Sequence, residues 1–381
     1  MLYLNPELDA ADQAVLAGIY RRRDKVASAM RVPKRWPGLL RRNLMARAIQ
    51  GSNSIEGYVV ATDDAAAAVD YEEALTADEQ TFAEIRGYRQ ALGYVLTLAQ
   101  TGADVDESTL RALHFMLLGH DLGKRPGQYR TGPIYVRNDR TGDTVYEAPG
   151  SETVPALMAE LVSTLTTDID PIVAGAMAHL NLVMIHPFRD GNGRMARALQ
   201  TLLVSRGGLA EPTFCSIEEW LGVNTEDYYR VLARTGPGRW SPDRDAHLWL
   251  KFSLRAHDIQ SQTVERRMHR TERAWSRLDE LVAAERLPER TTDALYDALI
   301  GFRIRRHGYL TRAAIDERTA SRDLKALTDA ALLEPRGETR ARHYVAGSRL
   351  IALRATLREE VPNHITDPYP TLRSDLYLTE A

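Results

Sequence analysis

One cysteine, Cys215, in 381 residues leaves no partner for an internal disulfide, which fits a reducing compartment. Between Phe214 and Ser216 it reads as a small core residue rather than a nucleophile. Lysine is nearly as scarce: Lys25, Lys34, Lys124, Lys251 and Lys325 are all there are, so arginine carries the positive charge and supplies the planar forks suited to phosphate. No apolar run is long enough to cross a bilayer, and the opening MLYLNPELDAADQ has neither a basic nor an apolar leader segment. The expectation is a cytoplasmic chain without membrane contact. With 49 basic against 52 acidic residues, the net charge of −3 offers no overall polyanion-binding surface. The length exceeds one ordinary core and predicts two or three domains.

The stretch His186-Pro187-Phe188-Arg189-Asp190-Gly191-Asn192-Gly193-Arg194-Met195-Ala196-Arg197 concentrates chemistry. The run from Pro171 to Ile185 is apolar enough for a buried helix, and the His-Pro pair ends it, because the residue before proline avoids helical dihedrals. Helix formers resume from Arg194 to Ser205, so the glycine turn opens onto a second helix. A helix start presents unpaired N–H groups and a positive dipole end, and glycine lets backbone approach an anion closely. A titratable imidazole, a carboxylate fit for a hard divalent cation and two arginines one turn apart stand around that start. The plainer alternative is a buried helix, a loop and another helix with solvated arginines. A base, a carboxylate, a glycine cradle and two arginines within twelve residues favour phosphate chemistry.

The same stretch resembles the Fic (filamentation) signature HPFx[D/E]GNGRxxR at every defined position. The resemblance implies a mainly α fold, a Fic-type helical core carrying a β-hairpin flap. It also implies transfer of AMP from ATP to a Ser, Thr or Tyr hydroxyl of a target protein, with auto-modification included. In that scheme His186 is the general base and Asp190 holds Mg2+. The amides of Gly191 and Gly193 face phosphoryl oxygens, Asn192 places the α-phosphate, Arg194 grips the distal phosphates and Arg197 holds the γ-phosphate. Upstream, Gly51-Ser52-Asn53-Ser54-Ile55-Glu56-Gly57 reads locally as a Ser- or Asn-capped helix near a glycine stop. It is also similar to the inhibitory motif [S/T]xxxE[G/N] of the same family, at Ser52, Glu56 and Gly57. That implies a carboxylate of Glu56 capturing Arg197.

Alternating β-formers at Ile134, Tyr135, Val136 and at Thr144, Val145, Tyr146 flank a polar turn at 138–142 and predict a hairpin. Its plain role is a surface loop. The resemblance makes it a flap, with Ile134, Tyr135, Val136 and Arg137 touching nucleotide or an added peptide strand. His179, seven residues before His186, is too far along the helix to share one ion and is expected to be packed and hydrogen-bonded. Asn224 to Tyr229 reads as a capped helix start, and the resemblance puts Tyr228 and Tyr229 against adenosine.

The expected organisation is an N-terminal helical region with the inhibitory motif (1–75), a catalytic core (76–260), a connecting helix (261–288), a C-terminal module (289–347) and an unassigned tail (348–381). The module's helix, helix and short Arg/Gly-tipped ribbon resemble a winged helix-turn-helix. Thr319, Ser321, Arg322 and Lys325 would then face a DNA groove, with Arg340 and Arg342 on phosphates. Asp323 and Asp329 are expected to dilute that basic face, and winged folds also bind proteins. Two rival functions stand beside adenylyl transfer: removal of AMP by the same site, and DNA-binding regulation with a sensory core. Homodimerisation is left open by the sequence.

Overall fold

The computed structural model describes residues 1–137, 144–165, 169–206, 216–338, 342–361 and 364–378, without the Arg137 side chain. The expected hairpin turn, Cys215 and Arg340 lie outside the described residues. Helices α1 (Ala10–Met30), α2 (Trp36–Ile55), α3 (Thr62–Val69), α4 (Glu79–Thr101) and α5 (Glu107–Leu118) are followed by strands β1 (Tyr135–Arg137) and β2 (Thr144–Glu147). Next come α6 (Val154–Thr164), α7 (Pro171–Ile185), α8 (Asn192–Arg206), α9 (Glu218–Val223), α10 (Thr225–Thr235) and β3 (Gly238–Arg239). A long α11 (His247–Ala284) leads to α12 (Thr291–Ile300), α13 (Arg306–Ala313), α14 (Glu317–Asp329), β4 (Leu333–Arg336), β5 (His343–Ala346), α15 (Ser348–Glu360) and α16 (Leu372–Tyr377). No described helix is long and apolar enough to cross a membrane.

One local device recurs. Asp78, Asp106 and Asp316 each precede a helix by one residue and accept the N–H of the threonine three positions on, at 2.8, 2.7 and 2.9 Å. The threonine hydroxyl bonds the same carboxylate, so Asp-x-x-Thr starts α4, α5 and α14 by the same chemistry. The cap at Asp78 starts α4 at Glu79. Asn224 differs from its expected role: its side chain makes no cap bond, and its amide donates instead to the Trp220 carbonyl at 2.8 Å.

α7 is buried on nearly every side, as its unbroken apolar composition requires, and α8 packs along it. One core joins α4, α5, α6 and α8 to α7, and a second joins α1, α10 and the first half of α11 to the opposite side of α7. A third core lies between the second half of α11, the start of α2 and α12–α15. α2 crosses α9 so closely that a Cβ on Gly51 would sit 2.2 Å from the Glu218 carbonyl oxygen.

Two expected boundaries are corrected. α11 runs unbroken through residue 260, because its polar stripe is compatible with burying Trp249 and Phe252 at one end and Met268 and Trp275 at the other. Residues 1–75 form no separate region either, since α1 and α2 supply walls of all three cores. α2 is also tied to the C-terminal module: Arg42 bonds both Asp70 and Asp297, and Arg312 reaches the same two carboxylates. The tail is docked through Asp367 on Arg255, Tyr369 on Asp12 and Tyr377 on Asp227.

Candidate active site

His186 caps α7 in the left-handed region (φ 51°), which turns the chain out of the helix ahead of Pro187. Arg130 holds that end. Its Nε donates to the His186 carbonyl at 2.8 Å, and its other nitrogens reach the carbonyls of Ile185, Gly132 and Pro149. A guanidinium is well matched to the unpaired carbonyls of a helix C-terminus. The Nδ1 of His186 lies 3.2 Å from the Val183 carbonyl, a bond that requires Nδ1 to carry the proton and leaves Nε2 with its lone pair. Burial, with a smaller contribution from Arg130, pushes the imidazole pKa below its ordinary value, so the ring is neutral at pH 7.

The loop that follows is braced from within. Asn192 is buried, with Oδ1 accepting from the Phe188 N–H and Nδ2 donating to the Phe188 carbonyl, both at 2.9 Å. These two bonds brace the loop and fix how Asn192 is presented at the start of α8. His114 stacks on Phe188 at 3.7 Å. It accepts the Gly127 N–H at Nδ1, so its Nε2–H donates to the Asp190 carbonyl at 2.9 Å. Gly191 takes φ 75°, which glycine adopts without strain.

Arg194 and Arg197 stand at the start of α8, one turn apart and buried. Arg194 pairs with Glu84, a carboxylate 1% exposed that also accepts from Lys124 Nζ at 2.9 Å and Tyr58 Oη at 2.8 Å. Burial alone would raise the Glu84 pKa; Arg194 and Lys124 outweigh it and hold it down to about 2. Lys124 Nζ is also 2.9 Å from Oδ2 of Asp190, the one residue of this group with a partly exposed carboxylate. Arg197 donates from Nε to the Ser52 hydroxyl (2.9 Å) and from Nη2 to the Ser52 carbonyl (3.1 Å) and to Glu56 Oε1 (2.6 Å).

Ser52 thus lies in the last turn of α2 rather than capping a helix, and Glu56 is the residue that ends it, with Gly57 at φ 86°. The Glu56 carboxylate rests over Gly193, where a Cβ would stand 2.7 Å from Oε1. A negative group therefore already occupies the anion position at the start of α8. Two buried donors there, Arg194 Nε and Arg197 Nη1, have no hydrogen-bond partner among the described residues. Unpaired buried guanidinium nitrogens around a glycine at a helix start fit a polyphosphate, and the half-exposed oxygen pair of Asp190 fits a hard cation.

The other expected residues are placed as follows. β1 and β2 pair antiparallel, and β3 runs parallel along the far side of β2, leaving the outer edge of β1 without a partner among the described residues. Tyr135 is exposed on that edge; Ile134, just before β1, is half-buried against the core, and Val136 pairs with Tyr146. Tyr228 is buried, its hydroxyl bonded to His179 Nε2 at 2.9 Å, so it supports the site from below. Tyr229 is half exposed and donates to the Ile55 carbonyl at the end of α2. His179 is packed as expected, with Nδ1 2.6 Å from Gln200 Oε1. On α14, Thr319 and Ser321 bond their own helix turn and Lys325 pairs with Asp329, while Arg322 and, just ahead of β5, Arg342 are exposed. Asp323 does not dilute that face: it is buried between Arg290 and Tyr309.

Residues 104–204 match the Fic/DOC family model. The matched segment contains α5 through most of α8, and with them every residue of the His186–Arg197 stretch. Over 243 residues the chain is 29% identical to the protein adenylyltransferase Fic of Nematostella vectensis, covering 62% of this chain and 54% of that one. It is 32% identical over 155 residues to the protein adenylyltransferase fic-1 of Caenorhabditis briggsae, covering 39% and 28%. The chain thus spans about half the length of the first of these Fic relatives and little more than a quarter of the second. The fold is similar to that of a Fic family protein from Desulfovibrio desulfuricans G20, with a TM-score of 0.57 at 24% identity over 90% of this chain and 98% of that one. Fic-1 of C. elegans (residues 134–508) gives a TM-score of 0.50 at 22% identity, over 70% and 73%.

Proposed function

We propose that this chain transfers AMP from ATP to the hydroxyl of a Ser, Thr or Tyr side chain of a protein, itself included, and that Glu56 restrains the transfer by holding Arg197. The observation that carries this reading is a neutral imidazole, with Nε2 free to accept, beside a helix start whose anion position is filled by a carboxylate of the same chain. The Fic relatives named as protein adenylyltransferases support it.

In this reaction Nε2 of His186 takes the hydroxyl proton while the hydroxyl oxygen bonds the α-phosphorus, and the bond from that phosphorus to the bridging oxygen breaks, releasing pyrophosphate with the electron pair. The α8 amides and Arg194 face the growing negative charge. Asp190 would hold Mg2+, which supplies charge neutralisation on the phosphate oxygens when bound. Arg197 takes the terminal phosphate only when Glu56 lets go. The unpaired edge of β1 is suited to lay an extended target segment alongside by strand addition.

For residues 289–347 we read a winged-helix module, supported by three helices ahead of an antiparallel ribbon. Asp316 and Glu317 at the start of α14 and the Lys325–Asp329 pair favour a protein partner over DNA there.

The test is mass spectrometry of the Glu56→Gly protein after incubation with ATP and Mg2+. An added AMP that disappears in Glu56→Gly/His186→Ala is the expected result. No rise of the adduct over the Glu56-containing chain would overturn the inhibitory assignment.

A further inference from the structure

Lys124 belongs to no motif recognised in the sequence, yet it sits at the centre of the phosphate side of the site. It closes a 3-10 turn, Leu122–Lys124, that Asp121 caps through the Gly123 N–H at 2.9 Å, and Arg125 then turns the chain back in the left-handed region. The turn delivers one ammonium between two carboxylates, 2.9 Å from Glu84 Oε1 and 2.9 Å from Asp190 Oδ2. The two acceptors are unlike. Glu84 is buried and saturated by Arg194, Tyr58 and His120 besides Lys124, whereas Asp190 is more open and bonded on its other oxygen to the Gly191 N–H.

We propose that Lys124 is a resident counter-ion of Asp190, which a divalent cation entering with nucleotide must displace, so that Lys124 sets the cation concentration at which the site loads. The inference rests on the adenylyl-transfer reading above, because it takes Asp190 as the cation-holding carboxylate. A monovalent ammonium and a divalent cation compete for the same oxygen, and the divalent ion brings the greater charge. Glu84 keeps the ammonium tethered once Asp190 is taken, so Lys124 stays paired on Glu84 instead of being lost to solvent. Arg194, 3.9 Å from Asp190 Oδ1, is too firmly held by Glu84 to take over the same oxygen.

The experiment follows free Mn2+ by electron paramagnetic resonance during titration of the full-length Glu56→Gly chain with α,β-methylene ATP, alongside nucleotide affinity in EDTA. Removing one half-exposed ion pair is expected to lower the half-saturating Mn2+ of Lys124→Met about fivefold, while Lys124→Arg, which keeps the charge, stays near the parent. Nucleotide affinity in EDTA is expected to be unchanged by Lys124→Met. An unchanged or raised half-saturating Mn2+ in Lys124→Met, or weaker nucleotide binding in EDTA, overturns the counter-ion role and makes Lys124 a phosphate contact. If Asp190→Ala loads Mn2+ as the parent does, Asp190 holds no cation; the reading of the site then fails along with the inference, an outcome separate from the previous one.

Discussion

Arg197 Nη2 lies 2.6 Å from Glu56 Oε1 while its Nε and Nη2 also grip Ser52, so one guanidinium is held by both ends of the last turn of α2. Glu56→Gly is expected to raise ATP affinity at least about tenfold, equivalent to ~1.4 kcal/mol. Ser52→Ala removes one neutral acceptor and should change affinity less than about threefold, since a single such bond contributes ~1 kcal/mol or less. The same Glu56→Gly chain leaves a buried arginine without its carboxylate, so its melting temperature without nucleotide should fall and be restored by ATP. Calorimetric titration and thermal melts with and without nucleotide check both statements. Equal effects of the two substitutions would remove Glu56 from its special position.

The pH dependence of transfer has a defined sign. The folded pKa of His186 is depressed by burial, so the base form predominates at neutral pH and its half-protonation lies below the ordinary histidine value of ~6.5. Initial rates of the Glu56→Gly chain should decline with one proton as pH is lowered, with a midpoint below ~6.5. A midpoint above ~6.5 would show that His186 is not the titrating base.

Arg130 satisfies carbonyls from both sides of the His186 turn. Arg130→Ala should destabilise the chain by about 1–3 kcal/mol by stranding those buried acceptors. It should also lower kcat more than KM, because it disturbs the base and not the nucleotide pocket. Arg130→Lys is expected to recover only part of either, since an ammonium cannot fork. Chemical denaturation and steady-state rates measure the two separately; a KM effect with kcat unchanged would contradict the positioning role.

Two buried histidines make stability acid-sensitive. His179 and His257 are held to about 3, chiefly by burial, and Gln200 bridges them. Unfolding restores an ordinary pKa of ~6.5, so the unfolded chain binds more protons between those values. Stability should therefore be fully present above ~6.5 and be lost progressively as pH falls toward about 3. Urea midpoints at pH 7.5, 6 and 5 would follow this, and His179→Gln/His257→Gln should flatten the trend.

The chemistry contributed by consecutive residues was legible in the sequence. His186, the glycine turn and the two arginines lie within one loop and one helix start, so their spacing alone implies that they converge. Glu56 needed a family resemblance to connect it to Arg197, 141 residues away. Glu84, Lys124, Arg130 and His114 went unread because nothing near each of them in the chain marks it: each acquires its role from a partner that packing delivers, Arg194, Asp190, the end of α7 and Phe188. The bracing of Phe188 by Asn192 is invisible in the sequence for a related reason, since only the folded loop brings the amide onto that backbone. The boundary at residue 260 was a composition shift along one rod, and burial at both ends kept the rod intact.

That rod has a practical result for anyone dividing the protein. Because α11 lends Trp249 and Phe252 to the cores around α7, and Val264, Met268, Trp275 and Leu278 to the bundle around α12, cutting it near its middle would bare an oily stripe on each fragment. Neither fragment is then a fair stand-in for its portion of the whole, and a substitution that loosens the distal bundle will be felt as heat lability at His186.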